Sequence, residues 1–266
     1  MHSVVGVMFA DRGGRGINPV DGTPLADSGV SLRARKRVAI MQPTYLPWVG
    51  YFGLMLSVDA FILLDSVQFS KRSWQQRNQI KTPSGPQWLT VPVLSKGKRE
   101  QLISEVRIDA SRQFHLDHLK SLELNYRKAP FFAEMFPAIR QVLSAPPESL
   151  SVLDIELIRG IRDALGITTP LLLSSEFEAK GENAILLANI CSEVGATEYV
   201  SPPGSKVYLD ESDAFSRQNM QVKFFQFQHP AYVQQHGEFL PYMSAVDLLF
   251  NCGAAGRAII QKSIAD

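Results

Sequence analysis

Residues 38–80 read VAIMQPTYLPWVGYFGLMLSVDAFILLDSVQFSKRSWQQRNQI, and this stretch decides the fold. An apolar run, VAIM, is followed by a loop that contains Pro43 and Pro47, an apolar helix and a second apolar run, AFILLDSVQF. Continuous apolar runs are typical of strands that are buried on both faces of a parallel sheet. A connection of helical length favours a right-handed parallel crossover. The stretch therefore predicts a βαβ unit with strands over residues 37–45 and 61–69.

The chain after this unit contains a turn signal, TPSGP, and an alternating segment, QWLTVPVL, which together predict an inserted β-hairpin. LISEVRID, at residues 102–109, predicts another short strand. Helices are predicted over residues 110–142, broken at Ala129-Pro130, and from Ser151, the predicted N-cap, to a stop at Gly166.

The second half again alternates strands with helices. PLLLSSEF, TEYVSP and VKFFQFQH predict strands, residues 183–194 predict a helix, and Ser244 with Asp247 predicts a capping-box-like start to a last helix. We therefore predict an α/β fold class: a mostly parallel sheet, Rossmann-like or nucleotidylyltransferase-like, with an inserted hairpin and a helical region.

The amino-acid composition indicates the number of domains and the cellular compartment. The 266 residues carry a net charge of +1 and 45% hydrophobic residues, which is enough for one full core over residues 37–266. Residues 1–36 show neither strand nor helix periodicity and are expected to form a disordered N-terminal extension. Two cysteines, no signal-peptide layout and no apolar run of membrane length favour a cytoplasmic protein.

The loop QPTYLPWVGY is the first candidate site, since ligands of open α/β sheets bind at the carboxyl ends of strands. Its candidate binding residues are Gln42, Tyr45, Gly50 and Tyr51. The layout is similar to that of nucleotidylyltransferases and pantothenate synthetase, but the histidines of their histidine-x-glycine-histidine motif are missing here. The alternative is a turn shaped by Pro and Gly with aromatic packing.

A second candidate site follows the second strand. Asp65 is followed by residues whose side chains suit a phosphate, a base or sugar, and hydroxyls: Gln68, Arg72, Trp74, Arg77 and Asn78. Residues 65–107 hold eight basic and three acidic residues, a local charge of +5 that points to an anionic small ligand. A solvated surface hairpin is the alternative.

Three residues are candidates for the chemistry itself. His118 and Asp65 are candidate general bases, and Cys252 is a candidate nucleophile. A packed helical histidine and a small buried thiol are the alternatives. No Cys/His spacing suggests a metal site, and no cofactor is predicted.

The chain from Arg37 onward resembles the WbqC-like family of bacterial proteins. The resemblance rests on MQPTYLPWVGYFGLM, VDAFILLDSVQFSKRSWQQRNQI, WLTVPV, HLKSLELNYRKAP, ATEYVSPPGSKVYL and FLPYMSAVDLLFNCG. Phe114 departs from the tryptophan expected ahead of the helix histidine. The resemblance adds Tyr126, Tyr232, Asp247 and Asn251 to the candidate binding residues.

The same resemblance implies a setting in surface-polysaccharide (O-antigen) or secondary-metabolite biosynthesis, and a transferase that makes an amide. The expected partners are a small-molecule amine acceptor and an activated donor, a coenzyme A or carrier-protein thioester, with no nucleic acid and no membrane. Nucleotidyl or adenylyl transfer on the same fold and a non-catalytic binding protein are the alternatives. The sequence leaves the oligomeric state open.

Overall fold

The structure is a computed structural model, and it describes residues 35–98 and 100–265. The strands in this part of the chain are β1 (Arg37–Met41), β2 (Ala60–Leu63), β3 (Arg77–Thr82), β4 (Gly85–Thr90), β5 (Leu171–Leu173), β6 (Glu198–Ser201) and β7 (Gln221–Phe224). The helices are α1 (Val49–Leu56), α2 (Phe114–Tyr126), α3 (Phe132–Ser144), α4 (Leu150–Ala164), α5 (Asn183–Glu193), α6 (Lys206–Asp210), α7 (Ala245–Cys252) and α8 (Gly256–Gln261).

A parallel sheet forms the centre of the fold. Five strands lie in the order β5-β2-β1-β6-β7, and every neighbouring pair is parallel. The register of the first pair runs from Val38 opposite Ala60 to Met41 opposite Leu63. All four residues of β2 and the middle three of β1 are buried, as their continuous apolar sequences predict. The predicted fold class, a mostly parallel α/β sheet, is confirmed.

The order of the strands places a switch point at β1. From β1 the chain builds outward through β2 to β5 on one side, and β6 and β7 extend the sheet on the other side. Loops that leave the carboxyl ends of β1 and β6 must therefore diverge, and they leave a crevice between them. A ligand site is expected in this crevice.

The inserted hairpin is β3 paired antiparallel with β4, from Arg77 opposite Thr90 to Thr82 opposite Gly85. A cluster of helices follows it, with α2 against α3, and α3 against α4 and α7. The aromatic ring of Phe250 on α7 lies 5.1 Å from Phe132 and 5.3 Å from Tyr126, so the helical region shares one apolar core. The hairpin and the helical region are both confirmed.

Several predicted boundaries differ from the structure. The second strand ends at Leu63 rather than at residue 69, and the first ends at Met41 rather than at residue 45. The strand predicted at residues 102–109 is a 3-10 turn over Ile103–Glu105 flanked by isolated bridges. Phe69, Ile103 and Val106 of these segments are buried in the core, and apolar character alone does not distinguish a strand from a packed loop.

Two predicted helix starts also differ in detail. The N-cap of α4 is Ser149, whose hydroxyl accepts a hydrogen bond from the Val152 amide, and not Ser151, which is buried inside the helix. Ser244 caps α7 as predicted. Asp247 does not complete a capping box, because its carboxylate accepts a hydrogen bond from Tyr126 instead.

The first 34 residues of the predicted N-terminal extension lie outside the described part of the chain. The next two residues are bonded to the sheet. Arg35 Nη2 lies 2.7 and 2.8 Å from the two carboxylate oxygens of Glu198, and the Lys36 amide donates to Thr197 Oγ1 at 2.9 Å. Among the described helices, none combines the length and hydropathy needed to cross a membrane.

Candidate functional site

A cleft opens at the switch point, where the predicted crevice lies. It consists of three adjoining cavities of roughly 250, 310 and 120 Å³, each of which has Met41, the last residue of β1, in its wall. Pro202, directly after β6, lines two of the three. We call these cavities together the switch-point cleft.

Aromatic rings form one wall of the switch-point cleft. The indole of Trp48 lies between the first and third cavities and packs edge-on against Phe227 at 5.6 Å between ring centroids. Tyr51 lies in the same wall, and its hydroxyl donates to the Gln42 carbonyl at 3.2 Å. Tyr242, which is 58% exposed, lies 5.7 Å from Trp48 and stands at the mouth.

His229 packs against the aromatic wall. Its ring is stacked on Trp48 at 6.0 Å and contacts Tyr242 at 5.0 Å. Its Nε2 accepts the Tyr242 amide proton at 3.0 Å, while Nδ1 lies 2.9 Å from the Pro230 carbonyl. Burial lowers the pKa of His229, so the neutral ring that these two bonds require is favoured.

The polar groups of the switch-point cleft are amides and hydroxyls. Gln75 Nε2 donates to Gln42 Oε1 at 2.8 Å, and both side chains line the second cavity together with Thr44. Asn78 lines the first cavity, and its Nδ2 donates to the Leu46 carbonyl at 2.6 Å. Among the described residues that line the three cavities, none carries a charged side chain.

The aromatic wall of the cleft leaves no space for a side chain at Gly50. Gly50 lies in the first turn of α1 under the indole of Trp48, and a side chain at this position would overlap that ring. Of the candidate residues predicted from sequence, the structure thus brings five to the switch-point cleft. They are Gln42, Gly50, Tyr51, Trp74 and Asn78.

Of the predicted residues in the segment around Trp74, Gln68, Arg72 and Trp74 are exposed, whereas Arg77 is half-buried and Asn78 is buried. Trp74 is 52% exposed, lines two of the cavities and packs against Trp88 of the hairpin at 5.5 Å. The Arg77 guanidinium lies 4.3 Å from the centroid of the Trp88 ring rather than in the cleft. Arg72 is exposed in the preceding turn, with a left-handed φ of 59°. Gln68 is exposed at a bridge to Leu102.

His118 is buried in the helical core. Its Nδ1 lies 2.8 Å from the hydroxyl of Tyr45, and its ring packs edge-on against Phe114 at 5.2 Å. Burial lowers the pKa of His118 to about 4, so the ring is neutral at pH 7. Neither His118 nor Tyr45 lines the three cavities, although the Tyr45 amide donates to the Trp74 carbonyl at 3.0 Å.

Asp65 connects the ends of β2 and β5. Its Oδ1 accepts bonds from Ser174 Oγ and the Ser175 amide, each at 3.0 Å, and its Oδ2 accepts from Ser175 Oγ at 2.8 Å. The carboxylate is 3% exposed. These bonds satisfy it within the protein and hold the ends of two strands together.

The four residues added by the resemblance form a separate cluster at Asp247, in which Tyr126, Asp247 and Asn251 are buried and Tyr232 is partly buried. Tyr126 donates its hydroxyl proton to Asp247 Oδ2 at 2.8 Å and accepts the amide proton of Lys81 at 2.9 Å. Asn251 donates to the Asp247 carbonyl at 2.8 Å. Burial raises the pKa of Asp247, and burial and the nearby Asp247 raise the pKa of Tyr232.

Cys252 ends the same helix, α7. Its thiol is half-buried, and burial together with the charge of Asp247 raises its pKa. A raised pKa keeps the sulfur as a thiol, which is the less nucleophilic form. No group of His, Cys, Asp or Glu side chains among the described residues has the arrangement of a metal site.

Sequence reasoning missed part of the switch-point cleft. Thr44 and Trp48 lie in the predicted loop, but nothing in the sequence separates them from their neighbours there. Gln75, His229 and Tyr242 reach the cleft or its wall only through tertiary contacts. The second side of the cleft does carry a sequence signal, because the strand-end rule marks the loop SPPGSKVYL after β6 as a possible anion site, and Pro202 of this loop lines two cavities.

Comparisons with known proteins cover most of the chain. The model of the WbqC-like protein family matches residues 42–259. An uncharacterized protein of Mycobacterium tuberculosis (strain ATCC 25618 / H37Rv), Rv1507c, is 42% identical over 221 residues, which cover 82% of this chain and 95% of that protein. No solved structure matches this chain.

Proposed function

Given that the chain belongs to the WbqC-like protein family, we propose that it is a transferase that forms an amide. An acyl or aminoacyl group passes from an activated thioester to an amine on an amino sugar or on a secondary metabolite. The setting is bacterial surface-polysaccharide or natural-product biosynthesis. The residues that line the switch-point cleft support this proposal through the kind of donor that they can hold.

The observation that carries the proposal is the neutral, largely aromatic and apolar lining of the cleft, with few polar side chains. Gln42 lies beside the aromatic wall with its Oε1 bonded to Gln75 Nε2, and none of the described lining residues is charged. The pantetheine arm of coenzyme A and of carrier proteins is itself a neutral, extended chain with two amide groups. Its methylenes suit the rings of Trp48 and Tyr51, and its amides suit the polar side chains of Gln42 and Thr44.

The reaction that fits this lining is direct aminolysis. The amine nitrogen attacks the thioester carbonyl carbon, so that a C–N bond forms and the C–S bond breaks. The departing sulfur takes up the proton that the nitrogen loses. Cys252 is a weak candidate for an acyl-enzyme because its thiol pKa is raised and it does not line the three cavities. Side-chain amides are suited to stabilise the negative charge that develops on the carbonyl oxygen.

The uncharged lining of the cleft is less suited to nucleotidyl transfer. A nucleoside triphosphate brings several negative charges, and sites for it use Lys or Arg side chains or a metal ion. The cationic Arg72 and Arg77 lie outside the three cavities, and the lining residues that the structure describes are uncharged.

The test is an assay for amide formation. Acyl-pantetheine and aminoacyl-pantetheine thioesters are offered with a panel of amino sugars and amines, and the products are detected by mass spectrometry together with release of free thiol. Gln42→Ala is expected to lower kcat/KM by roughly tenfold or more, and Gln261→Ala, which changes an exposed glutamine on α8, is the matched control.

Two results would contradict the proposal. Release of pyrophosphate from ATP or CTP without amide formation would identify a nucleotidyl transferase. Tight binding of pantetheine thioesters without turnover across the amine panel would identify a binding protein.

A further inference from the structure

An exposed aromatic and cationic surface borders the mouth of the switch-point cleft. It consists of Lys71, Arg72, Trp74, Arg77 and Trp88, and we call it the rim patch. Trp74 and Trp88 are 52% and 42% exposed and pack against each other, and Arg77 lies on the ring of Trp88. Because Trp74 also lines two cavities of the cleft, the rim patch is continuous with the proposed donor site.

The charges of the rim patch are not neutralised by their surroundings. Among residues 35–98 and 100–265, no carboxylate lies within 4.0 Å of the side-chain nitrogens of Lys71, Arg72 or Arg77. Lys71 and Arg72 are exposed, and the half-buried Arg77 lies on the indole ring of Trp88. Two exposed tryptophans and an arginine are also the residue types that dominate binding energy at protein interfaces.

The turn that carries Trp74 is held rigid by its own side chains. Gln75 Oε1 accepts the Ser70 amide proton at 2.8 Å, and Ser73 Oγ donates to the Ser70 carbonyl at 2.6 Å. Gln76 Oε1 accepts the Arg72 amide proton at 3.0 Å. The backbone of the rim patch is thus ordered before a partner binds, which lowers the entropy lost on association.

We infer that the rim patch docks an acidic carrier protein, whose pantetheine arm then enters the switch-point cleft past Trp74. This inference rests on the proposed function and names the form of its donor. Charge complementarity is the argument for an acidic partner, and the continuity of the rim patch with a neutral cleft is the argument for a partner with a neutral arm. A stacked nucleobase fits less well, because Trp74 and Trp88 already contact each other and leave no slot between them.

The experiment measures binding of a fluorescently labelled acyl carrier protein in its holo form, by anisotropy, at low and at high salt. Lys71→Glu and Trp88→Ala are each expected to raise Kd by roughly tenfold, and salt is expected to weaken binding to the unchanged protein. Lys128→Glu alters an exposed lysine and Leu116→Ala an exposed large apolar residue, both outside the rim patch, and they serve as controls.

A kinetic arm separates the inference from the proposed function. With a short pantetheine thioester as donor, Lys71→Glu is expected to turn over like the unchanged protein, whereas with the carrier-bound donor its kcat/KM is expected to fall. Unaltered carrier binding in both rim variants would overturn the inference, as would tighter binding of single-stranded nucleic acid than of the carrier. Absence of amide formation from any thioester, with carrier binding still sensitive to Lys71→Glu, would overturn the proposed function alone.

Discussion

The indole of Trp48 lies directly over Gly50, so that a methyl group added to Gly50 would stand 2.2 Å from the indole Cη2 and 2.4 Å from Cζ2. Non-bonded carbon atoms do not approach this closely, so the indole ring of Trp48 would have to move. The same ring is stacked on His229 and forms part of the aromatic wall of the switch-point cleft. One glycine therefore fixes the shape of the proposed donor site.

Gly50→Ala is predicted to destabilise the protein by about 1–3 kcal/mol, because a side chain is forced into a filled space. It should also weaken binding of pantetheine thioesters, since the displaced indole no longer lines the cleft. Urea unfolding and a binding titration measure the two effects.

Gly160→Ala is the matched control for this substitution. Gly160 also lies within a helix, α4, and a methyl group there would meet no atom within 4 Å. Alanine is the better helix former, so a gain of about 0.5–1 kcal/mol is expected. Equal effects of the two substitutions would show that the Trp48 contact does not matter.

Tyr126→Phe is predicted to destabilise the protein by about 1–3 kcal/mol, measured by chemical denaturation. The loss of one hydroxyl removes the 2.8 Å bond to Asp247 and leaves the Lys81 amide without its acceptor. All three residues are buried, so water does not replace these bonds. Asp247→Asn in the same background tests the coupling, and strictly additive effects would contradict a shared network.

The parallel sheet was predictable because its strands are local apolar runs separated by helical lengths of chain. The apolar runs VAIM and AFIL predict β1 and β2. The helix α1 between them indicates a crossover connection between parallel strands. The strand order was not predictable, because the pairing of β1 with β6 joins residues about 160 positions apart and no local pattern encodes it.

The candidate site was partly predictable for the same reason. Gln42 and Tyr51 follow β1 directly, and the strand-end rule places them at the cleft. His118 and Asp65 look reactive in sequence, but their partners Tyr45 and Ser175 lie 73 and 110 residues away. Whether a polar side chain faces a ligand or a buried partner depends on such distant contacts.

Because the buried His118 ring is neutral in the folded protein, we predict that the protein loses folding stability as the pH falls. Burial lowers the pKa of His118 in the folded protein from 6.5 to about 4, whereas the unfolded chain keeps the ordinary value. The unfolded state then binds the proton more readily, so the contribution of His118 to folding stability is constant above pH 6.5 and falls by up to about 3 kcal/mol between pH 6.5 and 4. Denaturation at several pH values measures this slope.

His118→Gln is expected to flatten this part of the pH profile, although the variant is less stable at pH 7 through the loss of the Tyr45 contact. His115→Gln, which alters the histidine three residues earlier on α2, should leave the slope in place. An unchanged slope in His118→Gln would assign the acid sensitivity to other groups.

The buried carboxyl group of Asp154 is expected to make folding stability depend on pH in the opposite direction to His118. Asp154 is fully buried in α4, and neither carboxyl oxygen has a hydrogen-bond partner in the described structure. Burial raises its pKa well above 3.8, so the folded state holds the proton more tightly than the unfolded state. Its contribution to stability is therefore greatest in acid and declines as the pH rises above about 4.

Asp154→Asn keeps the shape of the side chain and removes its titration. The variant is predicted to gain stability relative to the unchanged protein as the pH rises from 5 to 8, measured by urea unfolding at each pH. Asp154→Leu should gain a further 1–3 kcal/mol or so, because it also removes the unpartnered polar atoms. Parallel pH profiles for all three proteins would show that Asp154 does not titrate differently on folding. If both variants were stabilised but no longer formed amides, Asp154 would be retained for function.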